Sequence, residues 1–155
     1  MKRVMVTTVG LLFALSATLA KNPHCTFRVH TEANANDGSV FATPFHSPFS
    51  NRDVFIEKNA WISEREVAGF YPYQARDGSY GVLLQLDDHG KIVLDTLSVE
   101  HRGSFLFIFV NGRPLTELQV DRRVSDGRIY LSSGLTAIDI QLMSKDWKLL
   151  GRRKK

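Results

Sequence analysis

Cysteine occurs once in this 155-residue chain, at position 25. A single thiol closes no internal disulfide, so any exported domain here must stand on its apolar core. No thiol-activating motif surrounds Cys25, which reads as a free structural thiol. Long apolar runs are scarce as well. Only residues 4–20 form one, and at 17 residues it reaches the short limit for crossing a bilayer. It follows Met1-Lys2-Arg3 and ends in Thr18-x-Ala20, a small-residue cleavage pattern. This predicts a secretory signal over residues 1–20 and export to the periplasm or the exterior, with an uncleaved anchor as the alternative. No integral membrane segment is expected once the signal is removed.

A strong charge on the folded body is also missing. The chain has 20 basic and 16 acidic residues, but Lys2 and Arg3 lie in the leader and Arg152, Arg153, Lys154 and Lys155 in a tail over residues 151–155. What remains is 14 basic against 16 acidic residues. Nucleic-acid binding calls for a basic stripe on the fold itself, and none is visible. The tail reads as a solvated segment with a weak attraction to anionic surfaces. Reaction motifs are absent too: there is no Gly-x-Ser-x-Gly elbow, P-loop or dinucleotide fingerprint. No two of His24, His30, His46, His89 and His101 have helical zinc-ligand spacing. No cofactor or metal is expected.

What is present is a pattern of short elements in one domain, residues 21–150. Phe27, Val29 and Thr31 alternate with Arg28, His30 and Glu32, the period of a half-buried strand. A turn over 34–39 leads to a returning strand from Ser39 to Phe45, then a loop with Pro48 and a strand over 53–58. Ser63-x-x-Glu66 has the spacing of a capping box and predicts a short helix to Gly69. Pro72 and Asp77-Gly78 mark residues 70–78 as a turn-rich connection. Residues 80–87 predict a central strand, and Ile92, Leu94, Leu97 and Val99 one side of a helix closed by Gly103. Asn111-Gly112 joins two apolar runs, the strongest short-range hairpin signal, because both central residues of a type I′ turn need positive φ. Asn111, Gly112 and Gly127 are thus structural turn positions, and Arg113 a surface residue without a task. Thr136 opens a last helix whose Ile138, Leu142 and Met143 face the core. The order describes an antiparallel-rich α+β domain with two or three helices packed on its sheet.

Three polar groupings remain candidates for chemistry. Asp87, Asp88 and His89 place carboxylates beside an imidazole, suited to acid–base work or to capping the next helix, with Asp88 as the cap. Ser132-Ser133-Gly134 lacks a base positioned by sequence. Arg102, Arg113, Arg122, Arg123 and Arg128 either converge on an anion or pair with neighbouring carboxylates.

The second half resembles a known family. GVLLQLDDHGK, LDTLSVEHRG, FLFIFVNGRPLTELQVDRRV and DGRIYLSSGLTAIDI follow, in order, the strand, helix, hairpin and strand-to-helix run of the head subdomain in the first periplasmic domain of SecD. SecD is a subunit of the bacterial protein-export machinery, and the best match spans residues 54–147. Thr96, Gly103, Gly112, Gly127, Gly134 and Thr136 fall where that pattern wants them. The resemblance implies a SecD-head-like, non-catalytic binding module of the cell envelope. Its partner would be extended or unfolded polypeptide, or another envelope protein. In that arrangement residues 41–56 lie along a sheet edge, with Phe41, Phe45, Phe49 and Ile56 as peptide contacts. The alternatives are a small secreted hydrolase built on Asp87, Asp88 and His89, or a structural protein that self-associates through a sheet edge.

Overall fold

The computed structural model describes residues 22–151. The expected signal over residues 1–20 and basic residues 152–155 lie outside the described residues. Among the described residues, ten strands and three α-helices follow in chain order, with two 3₁₀ turns between them. They are β1 Phe27–Ala33, α1 Gly38–Phe41, β2 Ala42–Ser47, β3 Arg52–Glu57, β4 Ile62–Ser63, β5 Val67–Gln74 and β6 Tyr80–Leu86. The remainder are α2 Asp88–Glu100, β7 Phe105–Val110, β8 Arg113–Gln119, β9 Arg128–Leu135, α3 Ala137–Asp146 and β10 Lys148–Leu149. The result is the α+β class predicted from the sequence, divided between two sheets. The first has the order β2-β3-β1-β7-β8, with β4 also on β1, and the second the order β10-β5-β6-β9. All pairings are antiparallel except β10 with β5.

Alternation along the strands decides which faces meet. Phe27 and Val29 on β1 stand opposite Val110 and Ile108 on β7 and are fully buried. They share one core with Val82, Leu84, Ile129 and Leu131 of the second sheet, Leu94 and Leu97 of α2, and Met143 of α3. Each large side chain buried this way contributes roughly 1.5–3 kcal/mol over its exposed state. The other face of β7 carries Phe105, Phe107 and Phe109. The β2–β3 hairpin folds against it, burying Val54 and Ile56 in a smaller cluster. Phe45 meets Phe107 and Phe109 edge-on at 5.5 and 5.4 Å, the arrangement aromatic quadrupoles favour. Ser47 and Ser50 donate from Oγ to the Glu117 carboxylate of β8 at 2.6 and 3.0 Å, pinning the hairpin tip. Among the described residues, the buried apolar side chains of both clusters run from Cys25 to Trp147.

Several local expectations are corrected. The helix expected over 63–69 shrinks to a 3₁₀ turn, Glu64–Glu66, although the capping box itself forms. Val67 then starts β5, and residues 70–74 are strand where a turn was expected. Pro72 is tolerated there because β10 pairs only with Gly69 and Phe70, so its missing N–H faces an open edge. The returning strand starts at Ala42 rather than Ser39, after the short helix α1. Helix α2 begins at Asp88 and buries Leu94 and Leu97, while Ile92 and Val99 are 66% and 55% exposed. In α3 Met143 is buried, Leu142 partly so, and Ile138 exposed.

Candidate functional site

Asn111-Gly112 forms the hairpin turn its sequence predicts, with φ of 51° and 76° between Val110 and its partner Arg113. Gly127 also takes positive φ, 69°, at the turn into β9. Arg113, however, has a task. Its guanidinium pairs with Asp139, whose side chain is 6% exposed, and also donates to the Gly134 carbonyl at 3.3 Å. Asn111 donates from Nδ2 to the same carboxylate at 2.7 Å and accepts at Oδ1 from the Thr26 N–H. Asp139 in turn completes the capping box of α3 by accepting from the Thr136 N–H and hydroxyl, each at 2.8 Å. Burial raises the pKa of this carboxyl, but the Thr136, Asn111 and Arg113 donors prevail and hold it below the usual carboxylate range. The turn therefore ties the first sheet to the helix beside the second.

Asp87 is the residue that caps α2, accepting the Gly90 N–H at 2.7 Å; Asp88 is the first helical residue and is exposed. His89 is exposed, with Nδ1 3.9 Å from a Glu66 oxygen. None of the three lines the grooves beside residues 118–130 and 58–66. Among the described residues no group of three or more His, Cys, Asp or Glu side chains is placed to hold a metal ion. Cys25 is fully buried, and burial, aided by the Asp139, Asp146 and Glu64 carboxylates, pushes its thiol up to about 12. Such a thiol stays protonated and unreactive at neutral pH. Two of the arginines are committed to carboxylates, Arg113 to Asp139 and Arg123 to Asp95 at 2.5 and 2.7 Å, and Arg128 reaches Gln85.

The expected peptide contacts are split by the structure. Phe41 and Phe49 are 67% and 48% exposed, whereas Ile56 is buried and Phe45 packs into the smaller cluster. β2 is an edge strand, yet its open side is poor in donors. Lys58 donates to the Phe41 carbonyl, and the alternation of an antiparallel ladder then turns Ala42, Pro44 and His46 outward. Ala42 N–H is bound to Gly38 and Pro44 has none, so only His46 offers a donor.

A better-formed edge site lies between β8 and β9, the terminal strands of the two sheets. They approach at one end, where Arg113 grips the Gly134 carbonyl, and separate toward the other. There a groove of about 670 Å³ opens. Leu94, Leu106, Ile108, Leu118 and Ile129 line its floor, and Arg122, Arg123 and Arg128 its rim. The Val120–Ser104 and Leu86–Gly127 hydrogen bonds set the ladder phase. In that phase Gln119 of β8 and Tyr130 of β9 turn backbone N–H and C=O into the groove, and Glu117 continues the same edge. The 121–127 segment closes the wide end and is fixed to α2 by Arg123–Asp95 and by the Val124 N–H on Ser98 Oγ at 2.8 Å. This site was missed from sequence. The available signal was the eight residues between β8 and β9, too many for the tight hairpin that would pair them.

No protein-family model matches the sequence, and comparison with curated proteins gives no match. Solved structures do match. One, described as "Crystal structure of SecDF in Super-membrane-facing form", superposes with a TM-score of 0.55 at 12% identity, over 81% of this chain and 19% of that one. Another, described as "Structure and function of a membrane component SecDF that enhances protein export", has a TM-score of 0.55 at 12% identity, over 84% of this chain and 69% of that one. The chain thus spans about a fifth of the length of the first. At this identity the likeness is one of fold, and the fold of residues 22–151 is similar to a portion of SecDF.

Proposed function

We propose that this chain is an exported, non-catalytic module of the cell envelope that holds extended polypeptide in the groove between β8 and β9. The observation that carries the reading is the pair of unpaired strand edges facing one another across an apolar floor. An extended segment entering there gains backbone hydrogen bonds, and alternate side chains reach Leu106, Leu118 and Ile129. Backbone pairing is tolerant of sequence, so affinity would be modest, micromolar or poorer. The fold likeness to a component described as enhancing protein export supports the same reading.

NMR titration of the folded chain with an extended apolar peptide tests it. Amide shifts at 117–120 and 128–130 are the expected result. Shifts along β2, near Phe41, Phe45 and Phe49, would move the contact to the edge suggested by the sequence. Shifts confined to residues 87–89 would overturn the polypeptide reading in favour of a small-molecule site.

A further inference from the structure

One face of the second sheet lies on the core, and among the described residues nothing packs on the other. Strand alternation puts Lys148 and Leu150 on the bare face beside Gly69, then Tyr71 and Tyr73, Leu83 and Gln85, and Arg128 and Tyr130. Leu150 lies directly over Gly69, which has no room for a Cβ beneath it. The cross-strand row Tyr71, Leu83, Tyr130 runs across β5, β6 and β9, and Tyr71 and Tyr130 are 51% and 59% exposed. Tyr73 lies flat across Gly81, where an added Cβ would sit 2.2 Å from its ring. It stacks on Tyr130 at 5.5 Å with the planes 7° apart, and its hydroxyl donates to the Leu131 carbonyl at 2.6 Å. The aromatic surface is therefore held rigidly by the sheet.

The charges its strands carry are of one sign, with Asp126 at the margin accepting the Arg128 N–H at 3.1 Å. The residues that β5, β6, β9 and β10 turn to this face include Lys148 and Arg128 and no carboxylate. The chain also leaves the described residues here. Gly151 sits against Tyr71, where a Cβ would lie 3.9 Å from two ring carbons, and the sequence continues Arg152-Arg153-Lys154-Lys155. A flat, carboxylate-free face of tyrosine and leucine, flanked by Lys148 and Arg128 and followed at once by four more cations, matches a surface with an apolar interior and anionic headgroups. Tyrosine is at home at that boundary, its ring apolar and its hydroxyl wet. Basic residues add attraction that falls off within a Debye length.

We propose that this face docks the domain on an anionic lipid surface, with the tyrosine row at the headgroup boundary and residues 152–155 supplying the electrostatic half. Neither half suffices alone, as is general for peripheral attachment with two weak signals. The groove between β8 and β9 opens along the side of this face at Tyr130. A docked domain would therefore present it near the bilayer, while the lipid proposal stands whether or not the groove holds polypeptide.

Co-sedimentation of residues 21–155 with vesicles of 30:70 phosphatidylglycerol and phosphatidylcholine, against pure phosphatidylcholine, tests the proposal. Binding to the anionic vesicles only is expected. It should fall about tenfold or more in Tyr71→Ser/Tyr130→Ser, and equally when residues 152–155 are all changed to glutamine. Equal binding to both vesicles, no binding, or full binding by the tyrosine variant overturns it. So does a dimer in sedimentation analysis that the tyrosine variant abolishes. Should that variant fail to fold, spin-labelled lipid decides with the unmodified protein. Amide broadening at Tyr71, Leu83 and Tyr130 supports the proposal, and broadening elsewhere or none at all refutes it.

Discussion

Asp139 shows how much one side chain can hold together. Its two oxygens receive the Thr136 cap donors, the Asn111 amide and the Arg113 guanidinium, so a helix start and a hairpin turn share one buried charge. Asp139→Ala removes the cap and strands a half-buried guanidinium, and we expect a loss of about 2–4 kcal/mol by denaturant unfolding. The depressed pKa adds a pH signature. Because the folded value lies below the unfolded one, the stabilisation is complete above the usual carboxylate range. It is lost as pH falls through the folded value, that is, below about pH 4. The stability gap between the natural protein and Asp139→Asn should therefore narrow on acidification from pH 6 to pH 3. A gap independent of pH would show that the charge of Asp139 contributes nothing. The neighbouring turn is sensitive for a different reason. Gly112→Val forces a β-branched residue to φ of 76° and should cost on the order of 1–2 kcal/mol.

Among the elements, α2 separates a residue that merely sits at a helix start from the one that caps it. Asp87 has extended backbone and accepts the Gly90 N–H, while Asp88 is already helical and exposed. Thermal or denaturant unfolding should show Asp87→Ala destabilised by roughly 1 kcal/mol and Asp88→Ala changed by no more than a few tenths. Equal effects would mean that neither carboxylate acts as a specific cap. The same helix shows why apolar periodicity misleads by one position. Ile92 and Val99 lie next to the stripe of Leu94 and Leu97, but the helix touches the core along one narrow line and leaves them in water. β5 shows the reverse error. A proline in an aromatic strand resembles a break until the neighbouring strand proves too short to need its N–H.

For the whole molecule, two sheets that share one core leave two terminal strands unpaired at their junction among the described residues, and the polypeptide reading depends on that division. The export reading makes a separate prediction. Mass spectrometry of the chain recovered from the cell envelope should find a mature N-terminus near Lys21, and an intact Met1 in the membrane fraction would refute cleavage. Among the described residues no helix is long and apolar enough to cross a membrane.

Local chemistry carried most of what was readable in the chain itself. Asn-Gly between apolar runs specifies its own turn because few other residue pairs accept two positive φ values in a row. Ser63 and Glu66, and Thr136 and Asp139, find each other as caps because both partners lie within one turn of backbone. Period-two alternation marked β1, and the order of elements carried the likeness to the SecD head. The division into two sheets, the use of Arg113 by Asp139 and the burial of Ile56 were settled by contacts between residues far apart in sequence. So were the groove between β8 and β9 and the bare tyrosine face. Such contacts follow from which strands become edges and which faces find partners. Neither a residue's type nor its immediate neighbours encode that choice, because it minimises exposed apolar area over the whole chain at once.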